Sequence, residues 1–396
     1  MLNLDLITQN LSEAHIDAWL LTDFQKTNSP ARELLTIPDY LPASRRWFYL
    51  IRVDDSPVKI VHAIEPGILD HLPGDTRIYS GRQPLIDTLG QLLKPMTTIA
   101  MEYSPLAEIP NASRVDAGTV ELIRSLGPAI VSSANLLQQI TARWGETGLT
   151  SHRTAAQALI EITREVWRFI RHAHGGSPIT ELDVRHVIMD QFAARNLITD
   201  HPPICAVNAH AADPHFEPTE RTTSPIAPNS LVLIDLWAKT KDPDAVFADI
   251  TWTAYTGDSV PDTLNEIASI VFDARNAALE CVRSGMTRAG VNTVTGADAD
   301  RACRKVIEQN GFGAQFIHRT GHSLGRTVHG PGANLDSLES IDTRPLIPDT
   351  GFTIEPGIYL PGKFGIRSEI NVALSPDGGI EITTMPLQNR IVPIFD

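Results

Sequence analysis

The chain has 396 residues, with 33 lysines and arginines against 47 aspartates and glutamates, a formal charge of −14. At about 150 residues per domain this is two or three domains, and a composition 42% hydrophobic and 20% charged excludes a disordered, collagenous or fibrous chain. The acidic balance argues against non-specific nucleic-acid or membrane binding, which depends on lysine and arginine stripes.

Leu4, Ile7 and Leu11 fall at helical spacing and predict a helix over 4–14. The apolar run Ala18–Leu21 predicts a strand. Residues 25–45 carry several prolines and serines without a clear period and read as loop. Phe48–Val53 and Val58–Ile64 predict two strands joined through Asp54-Asp55-Ser56-Pro57, residues that favour turns. Thr98–Glu102 predicts another strand, and Val120–Leu126 a helix stopped at Gly127. Together these suggest an α/β unit. The pattern shifts at Trp144-Gly145-Glu146-Thr147-Gly148, so the expected domains are 1–148, the smaller, and 149–396.

Beyond the shift the periods lengthen. Ala155, Leu159, Ile162, Val166, Phe169 and Ile170 lie on one helical face and predict a helix over 151–173, broken by Gly175-Gly176-Ser177-Pro178. Thr180 caps a second helix through Phe192. A third runs from Pro261 to Ser284 with Gly285 as its stop, and a fourth from Ala297 to Asn310, ended by Gly311. Between them Ile204–Val207, Leu231–Leu236, Phe247–Tyr255, Phe352–Ile354 and Ile370–Leu374 predict strands. The second domain is therefore expected to be α+β, long helices on an antiparallel sheet. Cys205, Cys281 and Cys303 are too scattered for a disulfide framework and read as reduced core thiols. Asp5 interrupts the first apolar stretch and no basic segment precedes it, so no signal peptide is expected. No apolar run approaches the ~18 residues needed to span a bilayer. The expectation is a soluble, cytoplasmic protein.

Five residues on or beside these strands stand out: Asp235, Asp249, His322, Glu355 and Glu369. Asp235 ends the run Leu231-Val232-Leu233-Ile234, and Glu355 follows Phe352-Thr353-Ile354. A carboxylate after such a run needs a partner, because burying a lone charge is expensive. Two divalent cations would neutralise the four carboxylates at once. One imidazole among oxygen ligands is a hard donor set, suited to Mn²⁺, or to Co²⁺ or Zn²⁺, rather than copper.

The motifs are Leu233-Ile234-Asp235, Ala248-Asp249-Ile250-Thr251-Trp252-Thr253, Thr320-Gly321-His322-Ser323-Leu324-Gly325, Thr353-Ile354-Glu355-Pro356-Gly357-Ile358-Tyr359 and Gly365-Ile366-Arg367-Ser368-Glu369. In this order they resemble the pita-bread metallopeptidase superfamily, in its creatinase, prolidase and aminopeptidase P branch. The resemblance is strong over residues 150–396, while the first 145 residues match the branch's N-terminal domain only in outline. It implies a C-terminal pita-bread domain of long helices around a curved antiparallel sheet. It also implies two metal ions: Asp235 on one, Asp249 and Glu369 bridging, His322 and Glu355 on the other. A bridging hydroxide would be the nucleophile, with Glu355 shuttling its proton. His215 and His329 would contact substrate and stabilise the tetrahedral intermediate, and His318 would line the same pocket. Arg367 is expected to fix a ligand carboxylate through a bidentate bond and to face substrate.

The implied activity is hydrolysis of Xaa-Pro bonds in small peptides, as a dipeptidase or aminopeptidase, by a homodimer. Two other readings share the fold: a non-peptidase metal-dependent hydrolase or lyase, and a non-catalytic binding module, which five intact ligand positions argue against. Three departures from the family concern the pocket. Trp237 stands where glycine is common, Trp252 where arginine is common, and the Asp235–Asp249 hairpin is longer than usual, with Lys239–Asp244 as its expected turn.

Overall fold

A computed structural model describes residues 2–173, 176, 178–285 and 293–395. The chain divides into two compact units, Met1–Thr141 and Ala142–Asp396.

The first unit runs α1 (Leu4–Glu13), β1 (Ala18–Asp23), α2 (Ser29–Leu34), β2 (Trp47–Arg52), β3 (Val58–His62), β4 (Asp75–Tyr79), α3 (Arg82–Leu93), β5 (Thr98–Met101), α4 (Ala117–Ser125), β6 (Ala129–Ser132) and α5 (Ala134–Thr141). Its sheet has the order β4-β3-β2-β1-β5-β6. Both faces are covered. Trp19, Leu21, Trp47 and Tyr49 pack with Ile7, Leu11, Ala31 and Leu137, while Leu20, Phe48, Leu50 and Ile99 pack with Leu85, Leu89, Val120 and Ile123. That is why β1 reads as an unbroken apolar run rather than an alternation.

The stretch read as loop over 25–45 contains α2. The Asn28 side chain accepts the Ala31 N–H at 3.2 Å and Pro30 lies in the first turn, a start signal hidden by the shortness of the helix. β4 gave no apolar signal because its first four residues are exposed. Glu102, after β5, is fully buried and finished by the fold. Its Oε1 accepts from Trp19 Nε1 at 2.7 Å and Ser133 Oγ at 3.1 Å, and its Oε2 from Asn28 Nδ2 at 2.8 Å.

The second unit runs α6 (Gly145–Ala173), α7 (Glu181–Ala194), β7 (Leu197–Ile198), β8 (Ile204–Val207), β9 (Leu231–Thr240), β10 (Ala248–Tyr255), α8 (Asp262–Gly285), α9 (Gly296–Gln309), β11 (Ser323–Leu324), β12 (Thr350–Ile354), β13 (Gly357–Leu360), β14 (Phe364–Arg367), β15 (Ile370–Leu374), β16 (Ile380–Ile382) and β17 (Val392–Pro393). The units part ahead of the boundary expected at 148/149, which falls inside α6. Gly148 does not break that helix. It is buried there, and a Cβ on it would sit 3.0 Å from Trp144 Cβ. Of the residues expected to break α6 at its other end, Gly175 and Ser177 lie outside the described set. α7 and α9 each open with a capping box, Thr180 with Asp183 and Thr295 with Asp298.

Two sheets carry the unit, each backed by a helix pair. β9 and β10 pair antiparallel with Asp235 opposite Thr251 and Trp237 opposite Asp249. Opposed residues share a face and alternate residues switch it. Val232, Ile234, Leu236, Ala248, Ile250 and Ala254 therefore face α6 and α7, where Leu159, Ile162, Val166, Ile188 and Phe192 pack on them. Asp235, Trp237, Asp249 and Thr251 take the other face. The second sheet, β11-β12-β15-β16, repeats the device. Phe352, Ile354, Ile370 and Val372 pack on Val271, Ala278, Cys303 and Ile307 of α8 and α9, leaving Thr353 and Asn371 opposite one another on the far side. Each large apolar side chain so buried contributes about 1.5–3 kcal/mol. The expected Lys239–Asp244 turn begins later than read, since Lys239 and Thr240 extend β9 and pair with β7. Cys205 and Cys303 are buried and Cys281 half-buried, all unbridged.

Candidate metal centre

The two polar faces meet between β10 and β15. The Glu369 N–H donates to Thr251 O at 3.2 Å, and the Asn371 amide bonds both backbone groups of Asp249. The imidazole arrives on a third segment. Asp300 and Arg304, a buried pair one turn apart on α9, hold it. Asp300 Oδ1 accepts the Thr320 N–H at 2.9 Å and Oγ1 at 2.6 Å, while Arg304 donates to Phe316 O at 3.0 Å and His318 O at 2.8 Å. The segment runs so close to β12 that a Cβ on Gly321 would lie 2.0 Å from Thr353 O, so only glycine fits. The His322 N–H then donates to Thr353 Oγ1 at 2.9 Å, and the Glu355 N–H to Thr320 O at 2.7 Å.

His322 Nδ1 faces its neighbour's carbonyl, Ser323 O, at 3.1 Å. That bond places the proton on Nδ1 and turns the Nε2 lone pair toward Asp249 Oδ2, 3.6 Å away, and Glu355 Oε1, 3.4 Å away. Ligand atoms of Asp249, His322 and Glu369 all lie within 4.8 Å of one another. Arg367 is buried and bonds Asp235 Oδ2. Its fork is not bidentate on that carboxylate: Nε donates to Thr251 Oγ1 at 2.9 Å and Nη1 to Tyr359 OH at 3.2 Å. Thr251 Oγ1 in turn donates to Glu369 Oε2 at 2.8 Å, and the guanidinium is split because three acceptors converge on it.

Burial and mutual repulsion push the acids up. Asp235, Asp249 and Glu369 are all raised, by desolvation first, then by the acids around them. Glu355 goes the other way. Burial works to raise it, but His322, His318, Arg367 and Arg319 together bring it below the usual carboxylate range. His322 is lowered by burial and so stays neutral, as a metal ligand must be.

Among the described residues, three buried side-chain oxygens have no hydrogen-bond partner: Asp235 Oδ1, Asp249 Oδ1 and Glu369 Oε1. Orphaned anionic oxygens in a buried cluster are costly unless a cation meets them. With one neutral imidazole nitrogen beside oxygen donors, the set fits hard divalent ions.

The outer positions divide. His329 is exposed and stands edge-on to His322, ring centroids 4.5 Å apart. His318 has both nitrogens engaged by the protein, Nδ1 2.7 Å from Arg319 O and Nε2 2.8 Å from Tyr359 OH, and burial lowers it to about 4. His215 stays apart on an exposed loop, and among the described residues no hydrogen bond or ring contact joins its side chain to the cluster. Trp252 packs on the helix-facing core, away from the acids. Trp237 is on the site face beside Asp249, its Nε1 donating to Asp200 Oδ1 at 2.9 Å. Thr251, Thr353 and Tyr359 were not singled out from sequence. Thr251 had a signal, since it lies two residues from Asp249 on one strand and so shares its face.

A model of metallopeptidase family M24 matches residues 150–376. The probable dipeptidase PepE of Mycobacterium tuberculosis is 28% identical over 291 residues, 74% of this chain and 72% of that protein. The Xaa-Pro dipeptidase of Lactobacillus helveticus is 32% identical over 195 residues, 49% of this chain and 47% of that protein. Among solved structures, the dipeptidase PepE of Mycobacterium ulcerans shares the fold at a TM-score of 0.66 and 22% identity, covering 98% of this chain and 97% of that one. The match spans more than half of the chain and takes in Asp235, Asp249, His322, Glu355 and Glu369, and the chain belongs to metallopeptidase family M24.

Proposed function

We infer that this protein is a dinuclear metal-dependent exopeptidase that hydrolyses Xaa-Pro bonds in small peptides. The observation that carries the reading is the trio of partnerless buried oxygens on Asp235, Asp249 and Glu369, two of whose residues, Asp249 and Glu369, gather with His322. Similarity to a probable dipeptidase and to an Xaa-Pro dipeptidase supports the substrate class.

In this reading Asp235, Asp249, His322, Glu355 and Glu369 would hold the two ions. Mn²⁺ is the proposed metal on the chemistry of the donors, with Co²⁺ or Zn²⁺ as substitutes. Such ions, when bound, bring the pKa of water into the working range and polarise the scissile carbonyl. The chain's own residues do the rest. Glu355, the one acid of the group lowered below its usual range, is ionised at neutral pH and takes the proton from the attacking water. His329, beside His322, donates to the oxygen that develops charge, and His215 reaches it when substrate is bound. Arg367 holds Asp235 and Thr251 in place from behind. His318, engaged at both nitrogens, orients Tyr359 rather than touching substrate. A homodimer acting in the cytoplasm, without nucleic-acid or membrane partners, completes the proposal. Among the described residues no helix is long and apolar enough to cross a membrane.

The test is a side-by-side assay, with Mn²⁺, of Xaa-Pro dipeptides, longer Xaa-Pro peptides and a sulfonium lyase substrate. Turnover of a proline class is expected, with His322→Ala and Glu355→Ala each lowering kcat/KM by about 10²–10⁴-fold. Sulfonium cleavage alone would move the chain to the lyase reading. Unchanged hydrolysis by either variant in metal-repleted protein would remove the metal site.

A further inference from the structure

Just ahead of β15, the Glu369 N–H donates to Thr251 O of β10 at 3.2 Å. On either side of that bond the edge of β10 is met by side chains. The Asp249 N–H donates to Asn371 Oδ1 at 2.9 Å, and Asn371 Nδ2 donates back to Asp249 O at 2.6 Å. Four residues along, the Thr253 N–H donates to Gln388 Oε1 at 3.1 Å, and Gln388 Nε2 to Thr253 O at 2.5 Å. β17 pairs with β10 only at Ala254 and Tyr255.

A primary amide carries the same donor and acceptor as a peptide group, so each of these side chains imitates one rung of a ladder. Asn371 and Gln388 are buried, and Asn371 is itself fixed: its N–H donates to Thr384 Oγ1 at 2.9 Å and its carbonyl accepts the Thr383 N–H at 3.0 Å. Asn371 lies two residues after Glu369. One short stretch, Glu369 and the first residues of β15, therefore carries the Glu369 carboxylate and grips the backbone of Asp249.

We propose that Asn371 is a positioning residue of the metal centre, locking the carboxylates of Asp249 and Glu369 to one another at the separation that bridging ions require. The inference rests on the reading of both acids as metal ligands. Gln388 makes the same kind of bond at Thr253, which carries no ligand, and is the internal control.

The test uses the metal-stripped full-length protein, titrated calorimetrically with MnCl₂, and hydrogen exchange of peptides across 248–255. Asn371→Leu is expected to weaken Mn²⁺ binding about 10- to 100-fold, the usual cost of losing an outer partner of a metal ligand. It should also speed exchange at Asp249. Gln388→Leu should speed exchange at Thr253 and leave Mn²⁺ affinity within about twofold, since it supports no ligand. If Asn371→Leu does not fold, Asn371→Asp keeps an acceptor for the Asp249 N–H and loses only the donor to its carbonyl. An added negative charge alone favours cation binding, so weaker Mn²⁺ binding by that variant reports lost positioning. Wild-type affinity in the folded Asn371 variant, or an equal loss in Gln388→Leu, would overturn the proposal. A wild-type protein that binds no Mn²⁺ would instead remove the metal reading itself, and this inference with it.

Discussion

Glu102 and Glu369 are both buried glutamates at the end of a strand, one in each unit, and their surroundings differ in kind. Glu102 has a donor on each oxygen: Trp19 and Ser133 on one, Asn28 on the other. Its pKa is raised by burial, with every hydrogen bond pulling it back. Glu369 has Thr251 on one oxygen and no partner for the other among the described residues, and burial first, then Asp249, Glu355 and Asp235, push its proton affinity up. The first acid is completed by its own polypeptide. The second is surrounded by other acids and, in the proposed reading, would be completed by a cation. A buried carboxylate is therefore no evidence of a site until its donors have been counted.

The contrast can be broken most decisively with metal. Mn²⁺ at about a thousand times its Kd should stabilise the unit that binds it by about 4 kcal/mol. Hydrogen exchange in β9, β10 and β15 should slow accordingly, and exchange around Glu102 in β1 and β5 should not change. Equal slowing at Glu102 would erase the distinction.

Substitution sharpens it next. Glu102→Leu leaves the Trp19, Asn28 and Ser133 donors unpaired and should cost about 3 kcal/mol in denaturant unfolding. In metal-free protein, at a pH high enough to ionise Glu369, Glu369→Gln should raise the thermal midpoint, because it removes a charge that is both desolvated and repelled, and it should abolish the response to Mn²⁺. A Glu369→Gln protein less stable than wild type at that pH would count against the unfavourable setting of the ionised carboxylate.

The smallest effect is the pH slope of the metal-free protein. Asp235 is raised to about 7 in the folded chain, and Asp249 and Glu369 are raised as well. The folded state then holds more protons than the unfolded one between about pH 4, the free carboxylate value, and the folded pKa. Stability is complete below that window and falls as pH rises through it, by about 1.4 kcal/mol per pH unit for each proton retained. Saturating Mn²⁺ should invert the slope, because ions compete with those protons. A flat profile without metal would contradict the repulsion.

How much of this could be read in advance depended on whether a residue's role is written locally. Asp235 and Glu355 were legible because each ends an apolar run, Asp249 and Glu369 through the motifs around them, and the helices of the second unit because their faces repeat over many turns. β4 was not, since its side chains are exposed and nothing apolar marks it. α2 was missed because six residues are too few to show a period. The pocket was only half legible. Trp252 and Trp237 look alike in sequence, yet strand alternation sends one to the helix-facing core and the other beside Asp249. Asn371 could not be found at all, because its partner is the backbone of a residue on a distant strand, and such a bond leaves no mark in either segment.

The spread of the five acids and imidazoles along the chain has a bearing on how the protein is made. Asp235 and Asp249 precede α8, whereas His322, Glu355 and Glu369 follow α9. A ribosome releases α6 through β10 before the second sheet exists, while the β17 rung of the first sheet comes only with the last residues. Until His322, Glu355 and Glu369 emerge, the early acids have neither imidazole nor opposing carboxylate, so the full cluster closes only late in synthesis.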